Sequence, residues 1–302
     1  MTSFLLVVNP ASGRGQARRR AEMLRSSLAR SHSVDVVETR GRGSASDVVA
    51  GRALDFERVI AVGGDGTLNE VLGGLLRVGA TAEDRPALGF LPSGTANAAV
   101  AAFGFSATPA EVSHTLPAAK VRRVDVGVAS FDGTERPFLL WFGAGYDAVV
   151  IDALNSRRTG LMGVAGLARK TPSVLRALRL YGSPDIEVSM EGRETSVAAS
   201  VMLANVGEVA FGGTVAAAAD PFDGCLNLLT LPRLGPLRMA VLLGQMMLSS
   251  LERAREVGHA TVSGSVRLES KGEVPFQLDG EPVGTLPVEV RVAPGAIRLL
   301  LT

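Results

Sequence analysis

Gly63-Gly64-Asp65-Gly66-Thr67-Leu68-Asn69-Glu70 is the stretch on which the reading of this chain turns. Before it, Arg58 to Val62 is a short apolar run suited to a buried strand. After it, Leu68, Val71, Leu72, Leu75 and Leu76 recur as the apolar stripe of a helix. The glycines let the backbone turn sharply and approach a ligand closely. Thr67 and Glu70 have capping-box spacing, which predicts a helix beginning at Thr67. A helix N-terminus offers N–H groups and partial positive charge, which suit a phosphate. Asp65 is the odd member, since an anion repels phosphates. It fits if a divalent cation lies between them, or if it takes a proton from an attacking hydroxyl. Taken alone, the segment reads more readily as an ordinary turn before a capped helix.

Working outward, the same arrangement recurs twice. Phe4 to Val8 runs into Asn9-Pro10-Ala11-Ser12-Gly13-Arg14-Gly15, and Ala87 to Leu91 runs into Pro92-Ser93-Gly94-Thr95-Ala96-Asn97. In a parallel sheet all three loops open at the carboxyl ends of the strands, where ligands bind. A helix with Ala17, Ala21, Leu24 and Leu28 on one face and a strand from Val34 to Glu38 fill the intervals. The fold class expected is an α/β N-terminal domain with a parallel sheet and flanking helices.

From about residue 121 the texture changes. Val124–Phe131, Phe138–Phe142, Asp185–Met190, Ser196–Ala204 and Leu226–Leu231 read as strands without regular helical crossovers. Further strands are expected at Thr261–Leu268, Val274–Leu278, Val288–Val292 and Ile297–Leu301. Helices are expected near Ala148–Asn155, Val164–Leu180 and Leu237–Val257. This half is predicted to be a second, mostly antiparallel β domain, with the boundary near residue 125.

The bulk numbers agree with two domains: 302 residues, 46% hydrophobic and 20% charged. A net charge of +1 from 31 basic and 30 acidic residues gives no general pull toward nucleic acid. Cys225 is the only cysteine, so no intrachain disulfide is possible. No apolar run reaches spanning length, and a cytoplasmic location is the expectation.

Together, Asn9-Pro10-x-Ser12-Gly13, Gly63-Gly64-Asp65-Gly66-Thr67 and Gly94-Thr95-x-Asn97 resemble the signatures of the diacylglycerol kinase catalytic domain. That family includes bacterial soluble lipid kinases and, more distantly, sphingosine and ceramide kinases. Gly143-x-Gly145-Tyr146-Asp147-Ala148, Asp220-x-x-Asp223-Gly224 and Leu278-Asp279-Gly280-Glu281-Pro282 follow the family's pattern in order, so the resemblance spans nearly the whole chain. The Gly-Gly-Asp-Gly-Thr signature alone is shared with NAD kinases. The resemblance implies a nucleotide-binding domain at 1–125 and an acceptor-binding β-sandwich at 126–293. It also implies a last strand, about 294–302, returning to the first domain, and an active site in the interdomain cleft. ATP and Mg²⁺ are the implied cofactors, and a lipid alcohol the implied acceptor. Asn9, Ser12, Gly13, Arg14, Thr39, Gly63 to Glu70, Ser93, Gly94, Thr95 and Asn97 would surround the nucleotide. Asp125 matches an acidic position near the interdomain metal and water network. Asp220, Asp223 and the backbone carbonyl of Cys225 resemble the family's secondary Mg²⁺ site.

Two departures stand out. Where the family often carries a lysine after the first loop, this chain has Arg14, Arg18, Arg19 and Arg20. Arginine can serve phosphate oxygens with a two-pronged hydrogen bond. The residue after Asn97 is Ala98 instead of the commoner acidic or polar side chain.

Asp279 and Glu281 are two apart, so in an extended segment both carboxylates point to one side. Neighbouring like charges raise one pKa, which is useful in a general base. Asp-Gly is also a strong hairpin signal, and spacing alone favours the turn. The resemblance favours catalysis, with Asp65 as the rival proton acceptor. Gly143-x-Gly145-x-x-Ala148 satisfies a dinucleotide fingerprint but lacks the βαβ context, and reads as a tight turn. Met239, Leu242, Leu243, Met246, Met247, Leu251 and Ala254 read as a core-facing stripe, or as a wall beside an acyl chain. Arg157, Arg158, Arg169, Arg176 and Arg179 read as a solvated face or as a patch for the inner membrane surface. The expectation is an ATP-dependent lipid kinase. Its rivals are an NAD kinase-like enzyme and a nucleotide-binding regulator without catalysis.

Overall fold

The computed structural model describes residues 1–94, 97–155, 172–174, 176–208, 213–235, 238, 239, 241, 242, 245 and 251–301. The chain divides into a first unit, Met1–Val124 with Gly295–Thr302, and a second unit, Asp125–Pro294.

In the first unit, β1 (Ser3–Val8), β2 (Ser33–Glu38), β3 (Arg58–Gly63) and β4 (Ala87–Pro92) are all parallel, in the order β2-β1-β3-β4. The apolar runs of β1, β3 and β4 are buried, as strands covered on both faces must be. Helices α1 (Gln16–Leu28), α2 (Ser44–Arg52), α3 (Asp65–Leu76), α4 (Ala98–Phe103) and α5 (Pro109–Thr115) connect or follow them. The expected stripe of α1 is buried at Ala17, Ala21, Leu24 and Leu28, packed with Phe4, Leu6, Ile60, Val62 and Leu91. Strand order reverses between β1 and β3, the place at whose carboxyl ends open α/β sheets hold ligands. The sequence reading overlooked α2 and α5, although α5 carries a complete capping box between Thr108 and Glu111 with Pro109 at its start.

β5 (Lys120–Phe131) leads into the second unit, where β6 (Thr134–Phe138), β7 (Trp141–Ala144), α6 (Tyr146–Asn155), β8 (Ile186–Met190) and β9 (Ser196–Ala198) follow. They are succeeded by β10 (Ser200–Ala204), β11 (Leu226–Leu231), β12 (Gly258–Val262), β13 (Ser265–Ser270), β14 (Pro275–Leu278), β15 (Glu281–Thr285) and β16 (Val288–Leu301). One antiparallel sheet has the order β12-β11-β10-β7-β14-β15. Against its apolar face lie Ile186, Val188, Val266, Leu268 and Val290 from β8, β13 and β16, in one core with Phe142, Val201 and Phe276. Phe142 stacks on Phe276 with ring centroids 5.6 Å apart.

Several expectations need correction. The strand expected over 261–268 is two strands, because the chain turns at Ser263-Gly264 and passes from β12 in one sheet to β13 in the other. Phe138–Phe142 is likewise divided between β6 and β7, and 288–292 and 297–301 are joined in β16. The helix expected to reach Val257 does not, since Leu251–Arg253 is a 3-10 turn and β12 begins at Gly258. Within the first unit, Leu299 of β16 pairs in parallel with Leu88 of β4, and Leu300 enters the core. Among the described residues no helix is long and apolar enough to cross a membrane.

Candidate functional site

The glycine loops of the first unit meet at the carboxyl ends of β1, β3 and β4. Asn9 begins the first loop, donating its N–H to Val62 at 2.9 Å and accepting Ala11 N–H on Oδ1 at 3.1 Å. Asn9 Nδ2 donates to Thr67 Oγ1 at 3.2 Å, tying the first loop to the second. Gly13, Arg14 and Gly15 all have positive φ, 60°, 57° and 85°. For arginine that conformation is costly, and such strain gathers at functional loops. Arg14 is exposed, whereas Arg18 is engaged with Glu38 at 2.7 Å and Arg20 with the Ala107 carbonyl.

The second and third loops touch through glycine. A Cβ on Gly94 would lie 2.6 Å from Gly64 Cα, so a side chain there must move backbone, and one on Gly64 would press on Gly94 Cα at 3.3 Å. Ser93 N–H donates to the Gly63 carbonyl at 2.5 Å. The Ser93 hydroxyl is buried and has no protein partner. Asn97, at φ 47°, closes the third loop by accepting Gly94 N–H and donating to the Gly94 carbonyl, both at 3.0 Å. Thr95 lies outside the described residues. Thr39 follows β2, its N–H donating to Val8 at 2.8 Å.

The helix after the second loop begins two residues earlier than expected. Gly64 is the N-cap of α3, and no side chain caps it. Thr67 and Glu70, expected to cap one another, do other work. Thr67 is buried against Asn9, while Glu70 accepts N–H groups of Gly43 at 2.8 Å and Ala45 at 3.2 Å, at the start of α2. Leu68 is buried, so only its backbone can serve a ligand; Gly66 and Asn69 are half-buried in the first turn.

Asp65 turns to α4. Its Oδ2 accepts Ala98 N–H at 3.0 Å and its Oδ1 accepts Ala99 N–H at 3.1 Å. Burial pushes its pKa up, opposed by the N–H groups of Ala99, Ala98, Asp65 itself and Asn97. Ala98 thus contributes through its amide, a donor that does not depend on the side chain at that position. These loops fit a polyphosphate: a crevice lined by glycine, a consecutive positive-φ nest, a helix N-terminus and an unanswered buried hydroxyl.

In the second unit, Asp279 and Gly280 both have positive φ, 49° and 83°, and form the two-residue turn between β14 and β15. The same-side argument for Asp279 and Glu281 therefore fails, because the segment is a hairpin tip and not extended. Asp279 Oδ2 accepts Leu139 N–H at 2.8 Å, and Oδ1 accepts Leu140 and Trp141 N–H at 2.8 and 3.1 Å. Its own N–H donates to the Trp141 carbonyl at 2.9 Å. Glu281 opens β15, paired with Leu278 and half-buried.

Asp125 is buried, and its Oδ2 accepts Gly224 N–H at 2.7 Å. Asp220 Oδ1 accepts Phe222 N–H at 3.1 Å, and Asp223 Oδ1 accepts Cys225 N–H at 2.9 Å. Both carboxylates are exposed and each folds over its own loop. Among the described residues no three His, Cys, Asp or Glu side chains gather as a metal cluster. The Mg²⁺ set expected from the resemblance, two carboxylates and the Cys225 carbonyl, lies along this one loop. The Cys225 thiol is held high, first by burial and then by the charges of Asp223 and Asp125.

Gly143-x-Gly145 is a tight turn into α6, as read. Gly145 has φ 83°, and the strand before it belongs to the antiparallel sheet. Of the methionine-rich stripe, Met239, Leu242, Leu251 and Ala254 are buried, and Met239 packs with Tyr146 and Leu178. Leu243, Met246 and Met247 lie outside the described residues. So do Arg157, Arg158 and Arg169, whereas Arg176 and Arg179 are exposed.

Residues 3–129 match the family model of the diacylglycerol kinase catalytic domain, and 141–301 match that of the YegS C-terminal NAD kinase beta sandwich-like domain. A "Probable lipid kinase YegS-like" of Chromohalobacter salexigens is 31% identical over 80% of this chain and 75% of its own length. One from Stenotrophomonas maltophilia is 29% identical over 86% of this chain and 84% of its own. The crystal structure of a diacylglycerol kinase from Bacillus anthracis str. Sterne shares the fold. Its TM-score is 0.72 at 20% identity, covering 100% of this chain and 97% of that one.

Proposed function

This chain belongs to the YegS-like, diacylglycerol-kinase-like family of lipid kinases, and on that premise we propose that it transfers the γ-phosphoryl group of ATP to a hydroxyl of a lipid such as diacylglycerol. The observation that carries the reading is the meeting of three glycine loops at the carboxyl ends of parallel strands, with Gly64 and Gly94 in backbone contact. Asn9, Ser12, Gly13, Arg14, Thr39, Gly63 to Glu70, Ser93, Gly94, Thr95 and Asn97 form the nucleotide site in this reading. Leu68 takes part through its backbone and Glu70 by fixing α2. Loop amides, the Ser93 hydroxyl and the Arg14 guanidinium stabilise phosphate charge. Mg²⁺ would be carried chiefly by the phosphates of the nucleotide. We assign no catalytic step to Asp220, Asp223 or the Cys225 carbonyl.

The second unit supplies the acceptor site and the base. The acceptor hydroxyl attacks the γ-phosphorus in line and passes its proton to a carboxylate. Glu281 is the better candidate. Asp279 has both oxygens engaged by three backbone N–H donors, and Asp65 has both engaged by two. Protonating either would set a proton against those donors. Exposed Arg176 and Arg179 offer positive charge toward an anionic lipid surface.

The test is incubation with γ-labelled ATP and a panel of diacylglycerol, sphingoid base, phosphatidylglycerol and NAD. Label in a lipid and none in NAD is the expected result. Label in NAD alone would make this an NAD kinase-like enzyme. ATP binding with no transfer to any acceptor would make it a regulator.

A further inference from the structure

The six-stranded sheet of the second unit ends at β12, the edge opposite the β14–β15 hairpin. There β11 and β12 pair with Asn227 opposite Thr261 and Leu229 opposite His259. Opposed residues of an antiparallel pair project to one face, and so do residues two apart. These four therefore share a face, while Leu226, Leu228 and Val262, which alternate with them, enter the core. Two further stretches reach the same place. Leu251 N–H donates to the Thr214 carbonyl at 3.0 Å and Glu252 N–H to the Val215 carbonyl at 3.1 Å, which sets the 3-10 turn Leu251–Arg253 against residues 214–218. Arg193 comes from the turn between β8 and β9, where its N–H donates to the Met190 carbonyl at 3.2 Å. Together they line a cavity of about 460 Å³, the size of a small-molecule site.

Ala216 and Ala218 line it too, and their short side chains leave it room. Five polar side chains face it: Arg193, Asn227, Glu252, His259 and Thr261. Among the described residues none of the five forms a side-chain hydrogen bond or an ion pair. Arg193 and Glu252 in particular do not neutralise one another. Both charges are thus unspent, as are the two donors and the acceptor oxygen of the half-buried Asn227 amide. No aromatic ring is among the described lining residues, which disfavours a nucleobase, and five polar side chains disfavour an acyl chain. A guanidinium and an imidazole N–H serve phosphate oxygens, while a carboxylate, an amide and a threonine hydroxyl serve hydroxyl groups. The carboxylate repels a ligand that is anionic throughout. The complement is charged at one end and hydroxylated at the other.

We propose that this cavity binds a phosphate ester carrying free hydroxyls, the chemistry shared by a polyol phosphate and a polyol phospholipid headgroup. The phosphate is held by Arg193 and His259, and the hydroxyls by Asn227, Glu252 and Thr261. β10 and β7 lie between this edge and the hairpin that carries Glu281, so the site is separate from the phosphoryl transfer proposed above and does not rest on it.

Glycerol 3-phosphate is the free probe and dihexanoyl phosphatidylglycerol the lipid one, with glycerol and inorganic phosphate as partial ligands. Calorimetry on the full chain is expected to give a dissociation constant below about 1 mM for at least one of the two full probes. Glycerol and inorganic phosphate are expected to bind about 10-fold more weakly or worse. The tighter full probe identifies the source of the headgroup. The ring signals of His259, assigned with His259→Gln, are expected to move on binding. Arg193→Gln and Glu252→Gln are each expected to weaken binding by about 10-fold or more, through loss of a charge-assisted hydrogen bond. Arg193 is exposed, so its variant keeps the fold and decides the test if Glu252→Gln does not fold. Saturating ATP is expected not to displace the probe. The proposal is overturned if neither full probe binds, if inorganic phosphate binds as tightly as glycerol 3-phosphate, or if Arg193→Gln binds like the parent. Displacement by ATP also overturns it, because the probe would then be in the glycine loops.

Discussion

At the loop end of the first unit, Asp65 holds the N–H groups of Ala98 and Ala99. At the hairpin tip of the second unit, Asp279 holds those of Leu139, Leu140 and Trp141. Each aspartate stands in a segment with the look of chemistry, and each has both oxygens engaged by backbone. What differs is the chemistry close by. Around Asp65 the surplus is donor capacity: a positive-φ nest, the start of α3 and the Ser93 hydroxyl. Next to Asp279 is a second carboxylate, that of Glu281, the first residue of β15. In the function proposed above, the first region would serve a phosphate and the second would accept a hydroxyl proton. In both, the aspartate pins backbone through its N–H donors.

The comparison is tested most severely at Glu281. Glu281→Gln keeps size and polarity but cannot take a proton, and kcat is expected to drop by roughly 10²–10⁴-fold with ATP affinity retained. If instead Asp65→Asn alone abolishes turnover and Glu281→Gln does not, the two halves exchange roles. Next is Gly64→Asp. A Cβ and a carboxylate at the point where two loops touch are expected to weaken nucleotide binding by about 100-fold or more, because the new charge repels phosphate. Calorimetry on a variant with parental circular dichroism would check it, and undiminished affinity removes the crevice assignment.

Asp279→Asn probes the anchoring role. One amide oxygen can still accept, but the amide NH₂ now faces a backbone N–H, so a stability loss of about 1–3 kcal/mol is expected in urea. A kinetic loss without a stability loss would return Asp279 to the chemistry. The smallest effect separates two identical spacings. Thr108→Ala removes a formed capping box and is expected to cost about 1 kcal/mol. Glu70→Gln, whose partners are Gly43 and Ala45 on another segment, is expected to loosen α2 rather than α3, visible as faster exchange at those two amides.

Thr67/Glu70 and Thr108/Glu111 also show where sequence reading runs out. A Thr-x-x-Glu pattern offers the same local hydrogen bonds in both places. At 108–111 the local pairing forms in full. At 67–70, Asn9 reaches Thr67 from 58 residues away and the start of α2 reaches Glu70, so tertiary partners displace the local pairing. The Asp-Gly turn went the other way. Positive φ at two successive residues is a local preference, and it prevailed over the extended reading of Asp279 and Glu281.

The sequence by itself determined the succession of buried strands and glycine loops, the change to an antiparallel second half, and the turn at 279–280. These follow from period, apolar run length and backbone preference, all properties of neighbouring residues. Only the tertiary structure decided the start of α3 and the partners of Asp65, Glu70 and Asp279. A buried carboxylate seeks whichever N–H groups lie nearest in space, since leaving either unpaired away from water costs more than local pairing returns. Those donors lie as far as 140 residues away in the chain, at a separation that no local pattern encodes.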